Sequence, residues 1–319
     1  MTHGALHVLR TRGRRLELKG SEPVLMGVVN ASPDSFSDGG RHATAGEQVA
    51  LAHELLAGGA QWIDVGGESA ATDRPPVTAE EEIERVAPVV ERIVSETGAL
   101  VSVDTYKPAV AEAAVAAGAG MVNDVSGFRD PGIAEVCART GAALVLMHTQ
   151  GAPKQKVLDH PYASVAGDVA AFLRERMRTA QALGVAAEQL LLDPGPDFGK
   201  SPAQTVALLR ALPALHELGR PLLLAVSRKD FVGALTGRPP GRRLAGTLAA
   251  VAHGVDAGAH VLRVHDVAAV ADFLAVRAAL TGAVDVDADL RLAPELRREP
   301  AAAPGSTTGA SSTVRSRAQ

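Results

Sequence analysis

Residues Leu190–Gly195 read LLLDPG: three leucines in a row, then an aspartate, a proline and a glycine. An unbroken apolar run that stops in a polar residue and a turn is what a strand covered on both faces looks like. The same shape occurs seven more times. Going outward, it recurs at Ala143–His148 (ALVLMH), Met121–Ser126 (MVNDVS), Leu100–Thr105 (LVSVDT), Trp62–Gly67 (WIDVGG) and Leu25–Asn30 (LMGVVN) on one side, and at Leu222–Ser227 (LLLAVS) and Val261–Asp266 (VLRVHD) on the other. Between these runs lie stretches with helical spacing: Ala45–Ala57, Ala79–Thr97, Pro108–Ala117, Pro131–Thr140, Ser164–Leu183, Pro202–Leu218, Gly241–Ala257 and Val267–Leu280. Several open on a proline or a capping residue, as helix starts do. Eight strand–helix alternations over about 255 residues are the arithmetic of an α/β (β/α)8 TIM barrel forming a single domain. An open doubly wound sheet also alternates, but no GxGxxG follows the first strand to favour it.

The predicted barrel spans residues 21–282. Residues 1–20, with the basic run Arg12-Gly13-Arg14-Arg15, are expected to form a hairpin or strand at the barrel bottom. Residues 283–319 are a C-terminal extension. From about 301 it is so rich in Ala, Gly, Ser, Thr and Pro that it is expected to be disordered.

The chain has 319 residues and a net charge of −4, from 32 basic and 36 acidic side chains. That balance argues against a nucleic-acid grip, and 3% aromatic residues argue against a stacking platform for single strands. The single cysteine, Cys137, rules out an intrachain disulfide framework and a multi-thiolate zinc site; it is read as structural and as fitting a reducing compartment. Apolar runs of about five to seven residues fall far short of the ~20 that a membrane helix needs, and no signal peptide is visible. The expected location is cytoplasmic.

In a barrel of this kind the chemistry sits at the carboxyl ends of the strands. Those ends carry Asn30, Asp64 with Glu68, Asp104, Asn123 with Asp124, His148, Asp193, Ser227-Arg228-Lys229, and Arg263 with His265. A lone strand-end aspartate often caps the next helix, but eight polar ends around one mouth are not explained by capping. Asp104, Asn123 and Asp193 suit a flat heterocycle with an amidine-like N–H edge. Arg263, His265 and Lys229 suit a phosphate or pyrophosphate. The loop Asn30–Gly40 (NASPDSFSDGG) is longer than a plain connection and is expected to act as a lid.

The ordered series MGVVNASPDSFSDGG, IDVGGES, SVDTYKPAV, NDVSGF, LDPGPDFGK, SRKDFVG, AGTLAA and RVHDV resembles dihydropteroate synthase, of the pterin-binding barrel superfamily, over about residues 25–280. The resemblance implies condensation of 6-hydroxymethyl-7,8-dihydropterin pyrophosphate with p-aminobenzoate, giving 7,8-dihydropteroate and pyrophosphate. Asp193, Asn123 and Asp104 match the pterin pocket. Lys229 matches the lysine over the pterin ring and so leaves the phosphate group, and with Asp104 and Asp193 it makes the catalytic set. Asn30, Arg263 and His265 match the pyrophosphate site, with Mg2+ expected near Asn30. The resemblance also implies a homodimer and sulfonamide binding in the p-aminobenzoate site.

Three departures fall on the acceptor side. Ala70-Ala71-Thr72-Asp73-Arg74-Pro75 stands where the family usually has Thr-Arg-Pro, Thr149-Gln150 follows Met147-His148, and Asp230 follows Lys229. Asp230 is expected to repel the acceptor's carboxylate and to cap the helix that begins there. In this the chain resembles divergent actinobacterial paralogues. A non-catalytic or altered-acceptor pterin-binding protein is therefore the alternative. A corrinoid-linked methyltransferase shares the barrel but lacks Ser227–Lys229.

Overall fold

The computed structural model describes residues 6–31, 44–69, 74–155, 157 and 160–298. Ten strands and nine α-helices occur among them: β1 (Leu6–Thr11), β2 (Arg14–Lys19), β3 (Val24–Asn30), α1 (Ala45–Ala57), β4 (Trp62–Gly66), α2 (Ala79–Thr97), β5 (Leu100–Asp104), α3 (Pro108–Ala116), β6 (Met121–Asp124), α4 (Gly132–Thr140), β7 (Ala143–Met147), α5 (Val165–Ala182), β8 (Leu190–Asp193), α6 (Pro202–Arg210), β9 (Leu223–Leu224), α7 (Asp230–Thr236), α8 (Leu244–Asp256), β10 (Val261–Val264) and α9 (Val267–Leu280). Strands β3 to β10 form one parallel sheet in the order β8-β7-β6-β5-β4-β3-β10-β9. A parallel bridge between Leu192 and Leu222 joins the two edges, with Leu192 N donating to Pro221 O at 3.0 Å. The sheet is thereby a (β/α)8 barrel.

Local chemistry sets the element boundaries. Thr44 and Glu47 make a reciprocal capping box at the start of α1, Ser201 and Gln204 do the same for α6, and Thr78 and Ser164 cap α2 and α5. Pro108 and Pro202 stand in the first turn of α3 and α6, where a missing N–H costs nothing. Three expected boundaries differ. The helix expected over Pro202–Leu218 ends at Arg210, and Leu212–Leu218 winds as a 3-10 turn, because Pro213 has no N–H for the α ladder. The helix expected from Gly241 starts at Leu244 behind a separate turn, Pro240–Arg242. The run Leu222–Ser227 keeps its ladder only at Leu223–Leu224.

Two apolar clusters fill the fold. One lies between strands and helices, with Val65, Val103, Leu144 and Leu192 meeting Val90, Ile93, Ile133 and Leu173. The other joins Leu9 and Leu18 of the β1–β2 hairpin to Met26, Trp62, Leu100, Met121, Leu191 and Val261, which lie at the amino ends of the barrel strands. The hairpin thus plugs the bottom. Thr11 Oγ1 donates to Gly120 O, Arg12 N to Gly141 O at 2.7 Å, and Arg220 Nη2 to Val8 O at 2.9 Å.

The chain divides within α9 into two compact units, 1–274 and 275–319. In the second, a 3-10 turn at Pro294–Leu296 follows irregular chain in which Val284, Val286, Leu290 and Leu292 are exposed. The segment expected to be disordered, from about 301, lies outside the described residues. No helix among the described residues is long and apolar enough to cross a membrane.

Candidate active site

Because every barrel strand is parallel, all carboxyl ends open on one mouth, and the ladder register sets which side chains share a level. Gly66 pairs with Asp104, and Asp104 with Asn123. Met147 pairs with Asp193, and Arg263 with Met26. Arg263 reaches across this floor. Its Nε lies 2.6 Å from Asp64 Oδ2 and its Nη2 lies 3.0 Å from Asp104 Oδ2. Asn123 Nδ2 donates to the same Asp64 oxygen at 3.1 Å. Asp64 Oδ1 and Asn123 Oδ1 remain as buried acceptors with no hydrogen-bond partner among the described residues. Buried acceptors left open await a donor from elsewhere, and an N–H-rich heterocycle supplies such donors.

Asp193 closes β8 and is 4% exposed. Its Oδ1 accepts from Gly195 N at 2.7 Å. Burial pushes its pKa up, opposed by that hydrogen bond and by Lys229, Lys200 and Arg263. Burial pushes Asp104 up to about 7, against the pull of Arg263 and with a further push from Asp64. Lys229 is drawn down by burial and held up by Asp193 and Asp197; its Nζ stands 4.2 Å from the Phe198 ring centroid. His265 donates its backbone N–H to Ser227 Oγ at 3.2 Å and sets Nδ1 3.1 Å from the same oxygen. Burial, then Arg263 and Arg228, lower it to about 4, so its ring is neutral at pH 7.

The segment after Asp193 is tied down by Lys200. Its buried Nζ lies 2.8 Å from His148 Nδ1, 2.8 Å from Gly195 O and 3.0 Å from Phe198 O, and burial lowers its pKa to about 7. His148 is lowered to about 3 by burial and by Lys200, so its ring is neutral at pH 7.

Beyond this floor the mouth opens into a cavity of about 320 Å³ lined by Glu68, Asp104, Tyr106, Lys154, Asp197 and Asp230, among others. On one wall Lys107 Nζ bridges Glu68 and Glu82, Lys154 Nζ lies 3.2 Å from Glu68, and Tyr106 OH donates to Glu68 at 3.1 Å. On the other, Asp197 Oδ2 accepts from Phe231 N, at 3.2 Å, in the first turn of α7, and Oδ1 accepts from Thr205 Oγ1 at 3.0 Å.

The structure thus gathers Asp104, Asn123, Asp193, Lys229, Arg263 and His265 around one mouth, with Asn30 exposed at the end of β3. Ala70, Ala71 and the lid expected over Asn30–Gly40, past Ala31, lie outside the described residues. Asp230 corrects one expectation. Its side chain is 88% exposed and lies 2.8 Å from Arg243 Nη1; it caps nothing, and Asp197 takes the α7 backbone N–H instead. In the sequence Asp64 is visible only as one polar strand end among eight. Asp197 and Lys200 are hidden there in a loop, where spacing gives no face.

Residues 26–265 match the family of pterin binding enzymes. The chain belongs to that family. Among its members, dihydropteroate synthase of Escherichia coli K12 is 41% identical over 259 residues, covering 81% of this chain and 91% of that protein. The solved structure of Xanthomonas albilineans dihydropteroate synthase with 4-aminobenzoic acid is 46% identical, with a TM-score of 0.79 over 86% of this chain and 98% of that one. Yersinia pestis dihydropteroate synthase, solved with a sulfonamide drug, is 39% identical, with a TM-score of 0.80 over 87% of this chain and 100% of that one. In this pterin-binding enzyme the matched residues run from Met26 in β3 to His265 after β10, so the strand ends that carry the mouth lie inside the match.

Proposed function

We propose that this chain is a dihydropteroate synthase. It is a transferase that joins the methylene carbon of 6-hydroxymethyl-7,8-dihydropterin pyrophosphate to the amino nitrogen of p-aminobenzoate, in folate biosynthesis. The observation that carries the reading is the floor of the mouth, where the buried Asp193 carboxylate and the unpaired acceptor Asn123 Oδ1 stand beside the cations Lys229 and Arg263.

The roles come from the chemistry of each group. Asp193 accepts from the N–H edge of the pterin, a charge-assisted contact in a dry site. Asn123 and Asp104 complete that pocket, and Lys229 lies by the ring. Arg263 and His265 receive the pyrophosphate, and Asn30 is its neighbour on β3. The C–O bond to pyrophosphate breaks, the electron pair leaves with the phosphate oxygen, and the arylamine nitrogen forms the new C–N bond and releases a proton. Little acid–base work is needed, so positioning and electrostatics provide the rate.

Mg2+ usually keeps waters and phosphate oxygens and takes only one or two protein oxygens. Asn30, an exposed residue at the end of β3, carries an amide oxygen of the type that fits that donor set, and the ion would neutralise charge on the departing pyrophosphate. The homodimer rests on the family resemblance, and the cytoplasmic location on the single buried thiol, Cys137.

The test is pyrophosphate release with both substrates, beside calorimetry of the pterin pyrophosphate on wild type and Asp193→Ala. We expect turnover in the wild type and a loss of at least ten-fold in affinity in the variant, from a charged hydrogen bond of about 1.5–3 kcal/mol. Equal affinity in both would remove Asp193 from the site.

A further inference from the structure

We propose that Asp197 sets the charge preference of the acceptor subsite, so that arylamines without a carboxylate are used in preference to p-aminobenzoate. The inference rests on the transferase reading and names the acceptor class that this chain's own residues select.

With the pterin on the floor, the space left for the acceptor is the cavity over Asp104, Asp197, Phe198 and Asp230. Asp197 is fixed there. Its backbone N–H donates to Thr205 Oγ1 at 3.1 Å, that hydroxyl donates back to Asp197 Oδ1 at 3.0 Å, and Oδ2 takes the Phe231 N–H at 3.2 Å. Its backbone is in the left-handed region, at φ 67°, which an aspartate adopts when local hydrogen bonds hold it. The carboxylate is therefore held at the cavity wall by two hydrogen bonds, and the backbone N–H by a third.

Among the described residues, four cations near the cavity are ion-paired with carboxylates of the protein. Lys154 and Lys107 are on Glu68, Arg243 is on Asp230, and Arg263 is on Asp64 and Asp104. Asp193 and Asp197 oppose the lowering of the Lys229 pKa by burial. An acceptor carboxylate entering beside α7 meets the Asp197 charge and competes with it for the Phe231 N–H. Asp230 is the weaker source of repulsion, because it is mostly in water and on Arg243. A neutral arylamine avoids the repulsion and still presents the same nucleophilic nitrogen.

The experiment measures kcat/KM for p-aminobenzoate and for its uncharged analogue p-aminobenzamide, with the pterin pyrophosphate saturating. In the wild type the amide is the better acceptor. In Asp197→Asn, which keeps the side-chain shape and removes the charge, the ratio of p-aminobenzoate to p-aminobenzamide rises about ten-fold. A second arm needs no variant: raising ionic strength from about 0.05 to 0.5 M screens the repulsion and raises the same ratio in the wild type. A ratio that moves in neither arm overturns the assignment of Asp197. A wild type that binds the pterin pyrophosphate but turns over neither amine overturns the transferase reading, and the acceptor assignment with it.

Discussion

Arg263 Nε lies 2.6 Å from Asp64 Oδ2, and Asp64 is completely buried. The guanidinium that the sequence marks for pyrophosphate is thus also the counter-charge of the barrel floor, since Asp104 takes its Nη2 at 3.0 Å. Removing it leaves the buried Asp64 carboxylate with Asn123 Nδ2 but without its counter-charge, which costs about 3–5 kcal/mol. We expect Arg263→Ala to lower the urea-denaturation stability of the free protein by that order, with Arg263→Lys restoring part of it. Affinity for the bare pterin then falls along with affinity for its pyrophosphate. An unfolding free energy within about 1 kcal/mol of wild type would assign Arg263 to the ligand alone.

His265 gives the pH dependence. Burial and its cationic neighbours hold it at about 4 in the free protein, well below its ordinary 6.5. A pyrophosphate anion beside the ring favours the imidazolium and moves that pKa up, so binding takes up a proton between pH 4 and the new value. By linkage, pyrophosphate affinity in the wild type gains over that of His265→Gln as pH falls through this window. Ring-resonance titration by NMR, with and without pyrophosphate, checks it; an unmoved pKa places His265 away from the anion.

Gly195 holds the Asp193 loop at φ +65°, and a Cβ there would run into the backbone oxygen of His148. That oxygen belongs to backbone and cannot rotate aside. We expect Gly195→Ala to destabilise the fold by more than ~2 kcal/mol and to weaken pterin binding, because Gly195 N holds Asp193 Oδ1 and Gly195 O holds Lys200. Gly219→Ala is the control. Its φ is similar, +70°, but its Cβ meets open space, so only the left-handed backbone cost of about 1–2 kcal/mol remains. Equal losses in thermal and urea unfolding would mean that the His148 contact relaxes.

The barrel is legible in the sequence because parallel strands covered on both faces must be written as unbroken apolar runs, and LLLD, ALVLM and LVSVD stand out against polar surroundings. The polar strand ends are legible for the same reason, since each run stops where the core stops. The residues that stay hidden have no period. Asp197 acts through a loop that folds back on Thr205 and Phe231, eight and thirty-four residues away in sequence. Lys200 reads as one more surface lysine until the loop buries it on His148. Asp230 misleads for the complementary reason: as the first residue of α7 it has the sequence of a helix-capping aspartate, but Arg243, thirteen residues on, draws its carboxylate outward. Pairings set by tertiary contact decide all three.

The resemblance implies that sulfonamides occupy the acceptor site, and the charge of that site predicts which ones bind. A sulfonamide whose N–H ionises near neutral pH carries its charge toward the same wall as the acceptor carboxylate, where Asp197 is fixed by Thr205 and Phe231. Sulfanilamide, whose N–H stays on at neutral pH, avoids that charge. We expect weak inhibition by the ionised compounds, with inhibition constants above the micromolar range. Each should bind less well as pH rises through the drug's own ionisation, while sulfanilamide stays level over the same range. Two like charges about 4 Å apart cost roughly 1 kcal/mol in water-like surroundings and about 4 at an effective dielectric of 20, or five-fold to several-hundred-fold in affinity. The measurement is inhibition of pyrophosphate release by both compounds across pH, in wild type and in Asp197→Asn. A submicromolar constant for the ionised sulfonamide in the wild type would show that the charge at this wall is no obstacle to an anion.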